Sequence, residues 1–281
     1  MYGAIGMVPT SLLPEIDFAS LAWEMVGDRW LLSGARLVGL TLTLPFFSSR
    51  LLPLRFRLAV VTVLQGVILS GYTGVRTSVA LETSGAALPF LVFAEVVVGV
   101  AIGWSCLLVV AGIRAAAMLI SEQVGFAFGG LLDPEAQQDE PVLRGLYAGL
   151  AVFIFLATDA HHALLHAVSE SLWLLPPGTV AADGFVSGLG RLTVVVGALL
   201  FESTLMVVFP IAGVLLLSSV AQGVLTRLFP EIETVFFGFL LRTLLALGVV
   251  TTTLPLFSDT TQRLFENAVN EGHSVIRDFT G

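Results

Sequence analysis

The chain has 281 residues, of which 56% are hydrophobic and 12% are charged. Soluble domains carry about 25% charged residues, so this composition is typical of integral membrane or membrane-derived helical proteins. The formal net charge of −8 argues against nucleic acid as a partner, because contacts with phosphate groups require a basic surface.

Apolar segments of near membrane-spanning length follow one another along the chain, separated by proline and glycine. They cover residues 30–47, 58–72, 86–113, 114–132, 145–168, 189–229 and 234–257. As one straight helix, the 189–229 segment would measure about 60 Å, twice the thickness of a bilayer core. Pro210 and Gly213 therefore predict a kink in this segment or its division into a hairpin.

The fold class that these segments predict is all-α, of the integral-membrane type. No repeat or linker divides the sequence, so residues 1–281 are expected to form one helical domain. The end of the chain, residues 258–281, has an amphipathic pattern and is expected to form a peripheral tail.

Many of the apolar segments contain ionisable or strongly polar side chains. These residues are Arg36, Glu95, Glu122, Gln123, Asp159, His161, Glu202 and Arg242. A charge at the centre of a membrane helix costs about 2.5–3.5 kcal/mol, so few of these helices can face lipid on all sides. Three interpretations stay open: pairing within the chain, such as Arg36 or Arg242 with Glu95 or Glu202; contacts with partner subunits; and a proton or ion pathway.

Three pairs of glycines have the GxxxG spacing that allows helix backbones to approach each other. They are Gly99 with Gly103, Gly125 with Gly129, and Gly145 with Gly149. Because each pair lies within or beside an apolar segment, helix–helix contacts are expected at all three.

One cluster of residues has metal-ligand character, and it comprises Asp159, His161, His162 and His166. On a helix, His162 and His166 share a face at the spacing of zinc-binding helices, but no glutamate base lies between them. The remaining histidine, His273, lies in the tail. The pattern favours capping or pairing of Asp159 and His161 at a helix end near the membrane surface over metal binding.

Catalytic motifs are missing from the sequence. It has no GxSxG element before a helix, and a phosphate-binding loop needs a lysine that the chain does not contain. We therefore expect no catalytic residues, no cofactor and no enzymatic activity.

The stretch SEQVGFAFGGLLDP, residues 121–134, is the most informative part of the sequence. Glu122 and Gln123 are too polar for a lipid-facing segment, whereas Phe126 and Phe128 are too apolar for a solvated loop. Such a segment is expected to lie inside a protein assembly, with glycines that allow its backbone to bend.

Several segments in a fixed order carry a resemblance to a known family. They read TLPFFSSRLLPLRFRLAV (43–60), FAEVVVGVAIG (93–103), SEQVGFAFGGLLDP (121–134), DAHHALLHAVSESLWLLP (159–176) and FPIAGVLLLSSVAQGVLTRLFPEIETVFFGF (209–239). This set, which extends over nearly the whole chain, resembles the FliR family of the flagellar protein export gate. The counterparts of that family in virulence secretion systems are the SctT/SpaR proteins.

The resemblance implies helical hairpins packed in a hetero-oligomeric gate in the bacterial inner membrane, at the flagellar basal body. The implied partners are FliP-like and FliQ-like subunits, with FlhB-like and FlhA-like subunits, and the implied cargo is unfolded export substrates. It also implies that the 121–134 stretch projects into the pore as a plug. The implied pore-blocking groups and hinges are Phe126, Phe128, Leu131 and Leu132 with Gly125, Gly129 and Gly130.

The sequence departs from the family pattern at several positions. Ala160 replaces a common glycine, Glu231 and Glu233 replace Gln and Asn, and Leu240 replaces a proline. The partner contacts of the family around 230–240 are therefore not transferred to this chain. Virulence secretion remains an alternative role, and a proton-coupled secondary transporter is the alternative from another class. A metal-dependent membrane enzyme would instead require zinc bound at His162.

Overall fold

The computed structural model of the chain describes residues 18–44, 53–71, 88–124, 142–180, 182–228 and 234–279. These residues form helices α1 (Phe18–Thr43), α2 (Leu54–Gly71), α3 (Leu88–Val124), α4 (Val142–Ala157), α5 (Ala160–Leu174), α6 (Ala182–Leu228) and α7 (Thr234–Phe279). The described ranges contain no strand, so the predicted all-α fold class is confirmed.

Helix α3 lies at the centre of the fold and packs against α1, α4, α5, α6 and α7. It is a single helix of 37 residues, so the prediction of separate segments at 86–113 and 114–132 is wrong. Between them the chain reads Arg114-Ala-Ala-Ala, which has high helix propensity and no residue that stops a helix. An apolar helix without a polar face suits a position enclosed by other helices.

Close contact between α1 and α3 depends on glycine. A Cβ atom on Gly99 would overlap the carbonyl oxygen of Arg36, and one on Gly103 would lie 3.0 Å from the carbonyl oxygen of Leu40. The contact predicted from this GxxxG pair is confirmed. At Gly145 and Gly149 no described atom of the chain lies within 4 Å of a Cβ, so the contact expected at this pair stays a prediction.

The predicted 145–168 segment is interrupted. Helices α4 and α5 meet at Thr158 and Asp159 and are bent by 62° relative to each other. Asp159 has a φ of 56°, the only positive φ of a non-glycine residue in the described ranges. Because the backbone of Asp159 lies in the left-handed region, the chain changes direction between α4 and α5 at this residue.

Helix α6 continues through Pro210 for 47 residues, so the predicted division of 189–229 into a hairpin is wrong. Proline removes one backbone hydrogen bond from the helix interior. The helix nevertheless continues because it packs along both α3 and α7. The hairpin is formed by α6 and α7 themselves, and the connection between them lies outside the described residues.

The segment after Ser258 is the continuation of α7 rather than a separate tail. Its apolar face is buried in the core, as Leu264, Phe265, Ala268, Ile276 and Phe279 show. This face lies in the same hydrophobic core as residues of α3 and α5. The described part of the predicted tail, up to Phe279, therefore contributes its apolar stripe to the core of the chain.

Three described helical stretches are long and apolar enough to cross a membrane: Leu88–Val124, Gly184–Leu228 and Leu240–Phe279. The bent pair α4–α5 would add a fourth if it acts as one span. Together with the composition, these helices identify the chain as a membrane protein.

Candidate functional site

A buried ion pair joins the two helices at the centre of the fold. Arg36 on α1 donates from Nε to Glu95 Oε2 on α3 at 2.7 Å, and its Nη2 lies 2.6 Å from the same oxygen. Both side chains are 0% exposed. The glycine contacts between α1 and α3 place the two backbones close enough for both nitrogens to reach this one carboxylate oxygen.

The pair is part of a larger hydrogen-bond network. Arg36 Nη1 donates to Ser171 Oγ on α5 at 3.0 Å, and Nη2 donates to the carbonyl oxygen of Leu175 at 3.0 Å. The backbone N–H of Gly178 donates to Glu95 Oε1 at 2.8 Å. Each guanidinium nitrogen and each carboxylate oxygen therefore has a partner, which is the condition under which a charge can be buried.

The network holds helices together, because it connects α1, α3, α5 and the turn after α5. Removing one partner from such a pair typically costs about 3–5 kcal/mol, because the other charge stays buried alone.

Three members of this network were not identified from the sequence: Ser171, Leu175 and Gly178. Pro176, Pro177 and Gly178 are among the proline and glycine residues that separate the apolar segments in the sequence. Their turn supplies a main-chain acceptor and a main-chain donor to the ion pair. Every residue except proline has the same main-chain donor and acceptor, so the sequence indicates the turn but not which of its main-chain groups bind the ion pair.

Arg242 on α7 pairs with neither of the carboxylates considered from the sequence. Its Nη1 donates to the carbonyl oxygen of Gln123 on α3 at 3.2 Å, and its Nη2 donates to Ser219 Oγ on α6 at 2.8 Å. Its Nε is buried without a described partner. The side chain therefore touches the end of α3 and the second half of α6.

The other predicted polar positions are separate from the ion pair. Glu122 and Gln123 are exposed near the end of α3, and Glu202 is half-buried on α6. The residues predicted to form the plug lie outside the described residues: Gly125, Phe126, Phe128, Gly129, Gly130, Leu131 and Leu132. The described part of α3 ends at Val124, next to the first of them.

The corner between α4 and α5 brings Asp159, His161 and His162 together, with ligand atoms within 4.8 Å of one another. Asp159 occupies the N-cap position of α5 but makes no side-chain capping bond. Of the capping or pairing expected for Asp159 and His161, the structure shows a contact of the carboxylate with His162 Nδ1 at 3.3 Å instead. His162 is 68% and Asp159 73% exposed, so this is an open surface cluster rather than an enclosed metal cage.

The outer histidines have other neighbours. His166 Nδ1 lies 3.9 Å from Glu170 Oε2, and His273 Nε2 on α7 lies 3.5 Å from the same oxygen. His166 thus lies beside Glu170 of its own helix, and among the described residues it is not part of the group formed by Asp159, His161 and His162. His161 packs its ring against Phe155, with the ring centroids 6.3 Å apart.

Comparison with known proteins gives consistent matches. The family described as bacterial export proteins, family 1, matches residues 28–268. The flagellar biosynthetic protein FliR of Pectobacterium carotovorum is 27% identical, over 87% of this chain and 92% of the relative. FliR of Escherichia coli K12 is 26% identical, over 84% and 87%. The surface presentation of antigens protein SpaR of Shigella flexneri is 26% identical, over 76% and 80%.

Proposed function

Since the chain belongs to the bacterial export proteins, family 1, we propose that it is a subunit of the flagellar type III protein export gate. The matched regions extend over 92% and 87% of the lengths of these two FliR relatives, which supports the same role for the whole chain. The proposed site of action is the bacterial inner membrane at the flagellar basal body. The proposed cargo is unfolded flagellar protein.

The observation that carries this proposal is the apolar surface of α6 and α7. In the most apolar 18-residue stretch of α6, only 22% is buried inside the chain. In the corresponding stretch of α7, only 11% is buried. On α6, large exposed apolar side chains continue from Val194 to Leu228. These residues span about 50 Å along the helix axis, whereas the hydrocarbon core of a bilayer is about 30 Å thick.

Lipid alone would cover this surface only if α6 were tilted by about 50°, beyond the usual 0–40° of membrane helices. Burial by other proteins removes this mismatch. We propose that FliP-like and FliQ-like subunits cover the α6–α7 hairpin, with FlhB-like and FlhA-like subunits as further partners. This assembly would form the pore through which the substrates pass.

The plug is the finer part of the proposal. The segment that follows α3 would block the pore with Phe126, Phe128, Leu131 and Leu132, and Gly125, Gly129 and Gly130 would serve as hinges. A hydrophobic constriction excludes ions by dewetting, while a passing polypeptide can displace it. What supports this role is the family resemblance of the stretch and its position directly after the central helix.

A second candidate function is virulence secretion, favoured by the similarity to SpaR of Shigella flexneri. Both candidates describe a protein export gate and differ in the cargo. Co-expression of the chain with flagellar FliP and FliQ subunits, or with their injectisome counterparts, separates the two. Recovery of a stable complex with only the injectisome set would contradict the flagellar assignment.

The plug has a direct electrical test. Replacing both Phe126 and Phe128 with glycine is expected to increase the ion conductance of the assembled gate, measured as ion flux in proteoliposomes. The matched control replaces both with leucine, which keeps the apolar surface and is expected to keep the gate closed. Wild-type conductance of a fully assembled glycine variant would rule out the plug role of these side chains.

A further inference from the structure

The corner between α4 and α5 groups three metal-ligand side chains in a way that the sequence spacing does not indicate. In the sequence, His162 and His166 are the pair with the spacing of zinc-binding helices. The structure instead groups Asp159, His161 and His162, with ligand atoms that all lie within 4.8 Å of one another. Ligand atoms on one metal ion lie about 3.0–3.5 Å apart, because metal–nitrogen and metal–oxygen bonds measure about 2.0–2.2 Å. Small side-chain rotations would therefore bring the three groups onto one ion.

The backbone at the corner leaves the carboxylate of Asp159 without a main-chain partner. Asp159 precedes α5 in the N-cap position, where an aspartate usually has extended backbone and accepts a hydrogen bond from the first turn. Here it has a left-handed φ of 56° and makes no side-chain capping bond. Among the described ion pairs, its carboxylate contacts His162 and no arginine. The charge of Asp159 is therefore directed to the histidine cluster rather than to the helix.

The contact between Asp159 and His162 fits two ligands of one ion better than a hydrogen bond. Asp159 Oδ1 lies 3.3 Å from His162 Nδ1. A charge-assisted hydrogen bond between a nitrogen and a carboxylate oxygen measures about 2.7–2.9 Å, so this contact is long for one. It lies within the separation of about 3.0–3.5 Å that two ligand atoms have on one ion. Both side chains are mostly exposed, so the ion would be reached directly from solvent.

His161 adds a ring that the core holds in place. Its ring packs against Phe155, which is buried, and lies 4.1 Å from the ring of His162, centroid to centroid. Nδ1 of His161 is buried and has no hydrogen-bond partner among the described residues. A buried polar atom without a partner destabilises the fold, and coordination of a metal ion by this nitrogen would remove that cost. A ring fixed by packing also loses little conformational freedom when it binds an ion.

The ligand types select the class of ion. Imidazole nitrogens suit zinc, copper, nickel and iron, whereas magnesium and calcium prefer sites made of oxygen ligands alone. Two histidines and one carboxylate form a three-ligand set that leaves coordination positions open. Water fills these positions at an exposed site, so an open cluster can bind an ion without an enclosed cage.

We propose that Asp159, His161 and His162 form a binding site for one divalent transition-metal ion, with Zn²⁺ as the reference ion. The bound ion connects Asp159, at the junction of the two helices, to the first turn of α5. It thereby stabilises the 62° bend between α4 and α5. The inference does not depend on the proposed export function, because all three ligands belong to this chain.

Calorimetric titration of the metal-free full chain with Zn²⁺ in detergent tests the site, with an affinity tag that contains no histidine. The wild type is expected to bind one Zn²⁺ per chain. Because the ion binds the folded state, Zn²⁺ is also expected to raise the temperature of thermal unfolding, and EDTA is expected to reverse the increase.

Two variants at exposed positions remove a ligand each. Asp159→Asn removes the charged oxygen and keeps a residue type that tolerates the left-handed backbone. His162→Ala removes one imidazole. Loss of a group that merely orients a metal ligand weakens binding by about 10–100-fold, and loss of a ligand itself is expected to weaken it at least as much.

The third ligand and the matched control lie on the same helix. His161→Phe keeps an aromatic ring against Phe155 but removes both ring nitrogens, so it is expected to weaken Zn²⁺ binding while the metal-free chain stays folded. The control is His166→Ala, which removes an imidazole that is 78% exposed and lies outside the group of three. It is expected to leave the affinity for Zn²⁺ unchanged.

The outcomes separate this site from its alternatives. The absence of Zn²⁺ binding below millimolar concentration in the wild type overturns the proposal, and so does wild-type affinity in both Asp159→Asn and His162→Ala. Equal losses in His162→Ala and His166→Ala, with wild-type affinity in Asp159→Asn, would assign the ion to the histidine pair and also overturn it. Loss of affinity in all three ligand variants, with the control unchanged, supports it.

Discussion

Helix α3 and the α6–α7 hairpin are similarly apolar but have different surroundings. The most apolar 18-residue stretch of α3 is 67% buried inside the chain, whereas the corresponding stretches of α6 and α7 are 22% and 11% buried. Helix α3 is enclosed by its own chain, and the hairpin presents most of its apolar surface outward. Hydropathy alone therefore does not indicate whether an apolar helix meets its own chain, a partner or lipid.

The two regions also differ in how fully their charged side chains are compensated by hydrogen-bond partners and counterions. The buried charge on α3 is compensated within the chain, because Glu95 has an arginine and a main-chain N–H as partners. On α7, the guanidinium of Arg242 is only partly compensated. The proposed assembly would account for this difference, because partner subunits would complete the surroundings of the hairpin.

The largest expected effect comes from breaking the ion pair of α3. Glu95→Leu leaves Arg36 buried without its counterion and is expected to lower the free energy of unfolding by about 3–5 kcal/mol. Chemical denaturation in detergent measures this loss. The control is Arg191→Ala, which removes two exposed pairs, with Glu271 at 3.3 Å and with Asp278 at 3.7 Å. It is expected to cost about 1 kcal/mol or less, and an equal loss in both variants would contradict the central role of the buried pair.

The next effect concerns the outward face of α6. Phe209 is 80% exposed in the isolated chain, so Phe209→Ala is expected to leave its folding unchanged. If a partner subunit covers this face, the loss of an aromatic anchor is expected to weaken assembly by about 2 kcal/mol or more. Co-purification with FliP-like and FliQ-like subunits measures it, with Phe209→Leu as the apolar control. Wild-type recovery of the complex from the alanine variant would indicate that Phe209 faces lipid.

A pair of glycine substitutions gives the smallest effect and compares the two regions directly. Gly99→Ala forces a Cβ against the carbonyl oxygen of Arg36 and is expected to destabilise the chain by about 1–3 kcal/mol. Gly213→Ala on α6 meets no described atom within 4 Å and is expected to stabilise the isolated chain by up to about 1 kcal/mol. Thermal unfolding of both variants measures the difference, and the same sign for both would contradict the contrast.

Parts of this organisation were readable from the sequence because they depend on local patterns. The apolar segments predicted the helices, and the order of motifs predicted the family that the match over residues 28–268 confirms. The Gly99–Gly103 spacing predicted a close helix contact that α1 provides. The same spacing at Gly145 and Gly149 has no described neighbour, since spacing states only that an approach is sterically allowed.

Other features depended on distant parts of the chain. Pro210 favours a break in α6, but packing against α3 and α7 keeps the helix continuous. Arg36 could have paired with Glu95 or Glu202, which the sequence placed in equivalent apolar surroundings. Arg242 donates to the main-chain carbonyl of Gln123 and to the hydroxyl of Ser219. Neither partner carries a charge, so charge complementarity in the sequence does not indicate them.

The sequence by itself determined that the chain is an all-α membrane protein of the export family, because composition, segment length and motif order are local properties. Only the tertiary structure decided which apolar helix became the centre, which charges met, and that 258–279 belongs to the core. These outcomes depend on which side chains and main-chain groups lie within a few ångströms of each other. That distance is set by the packing of helices far apart in the sequence.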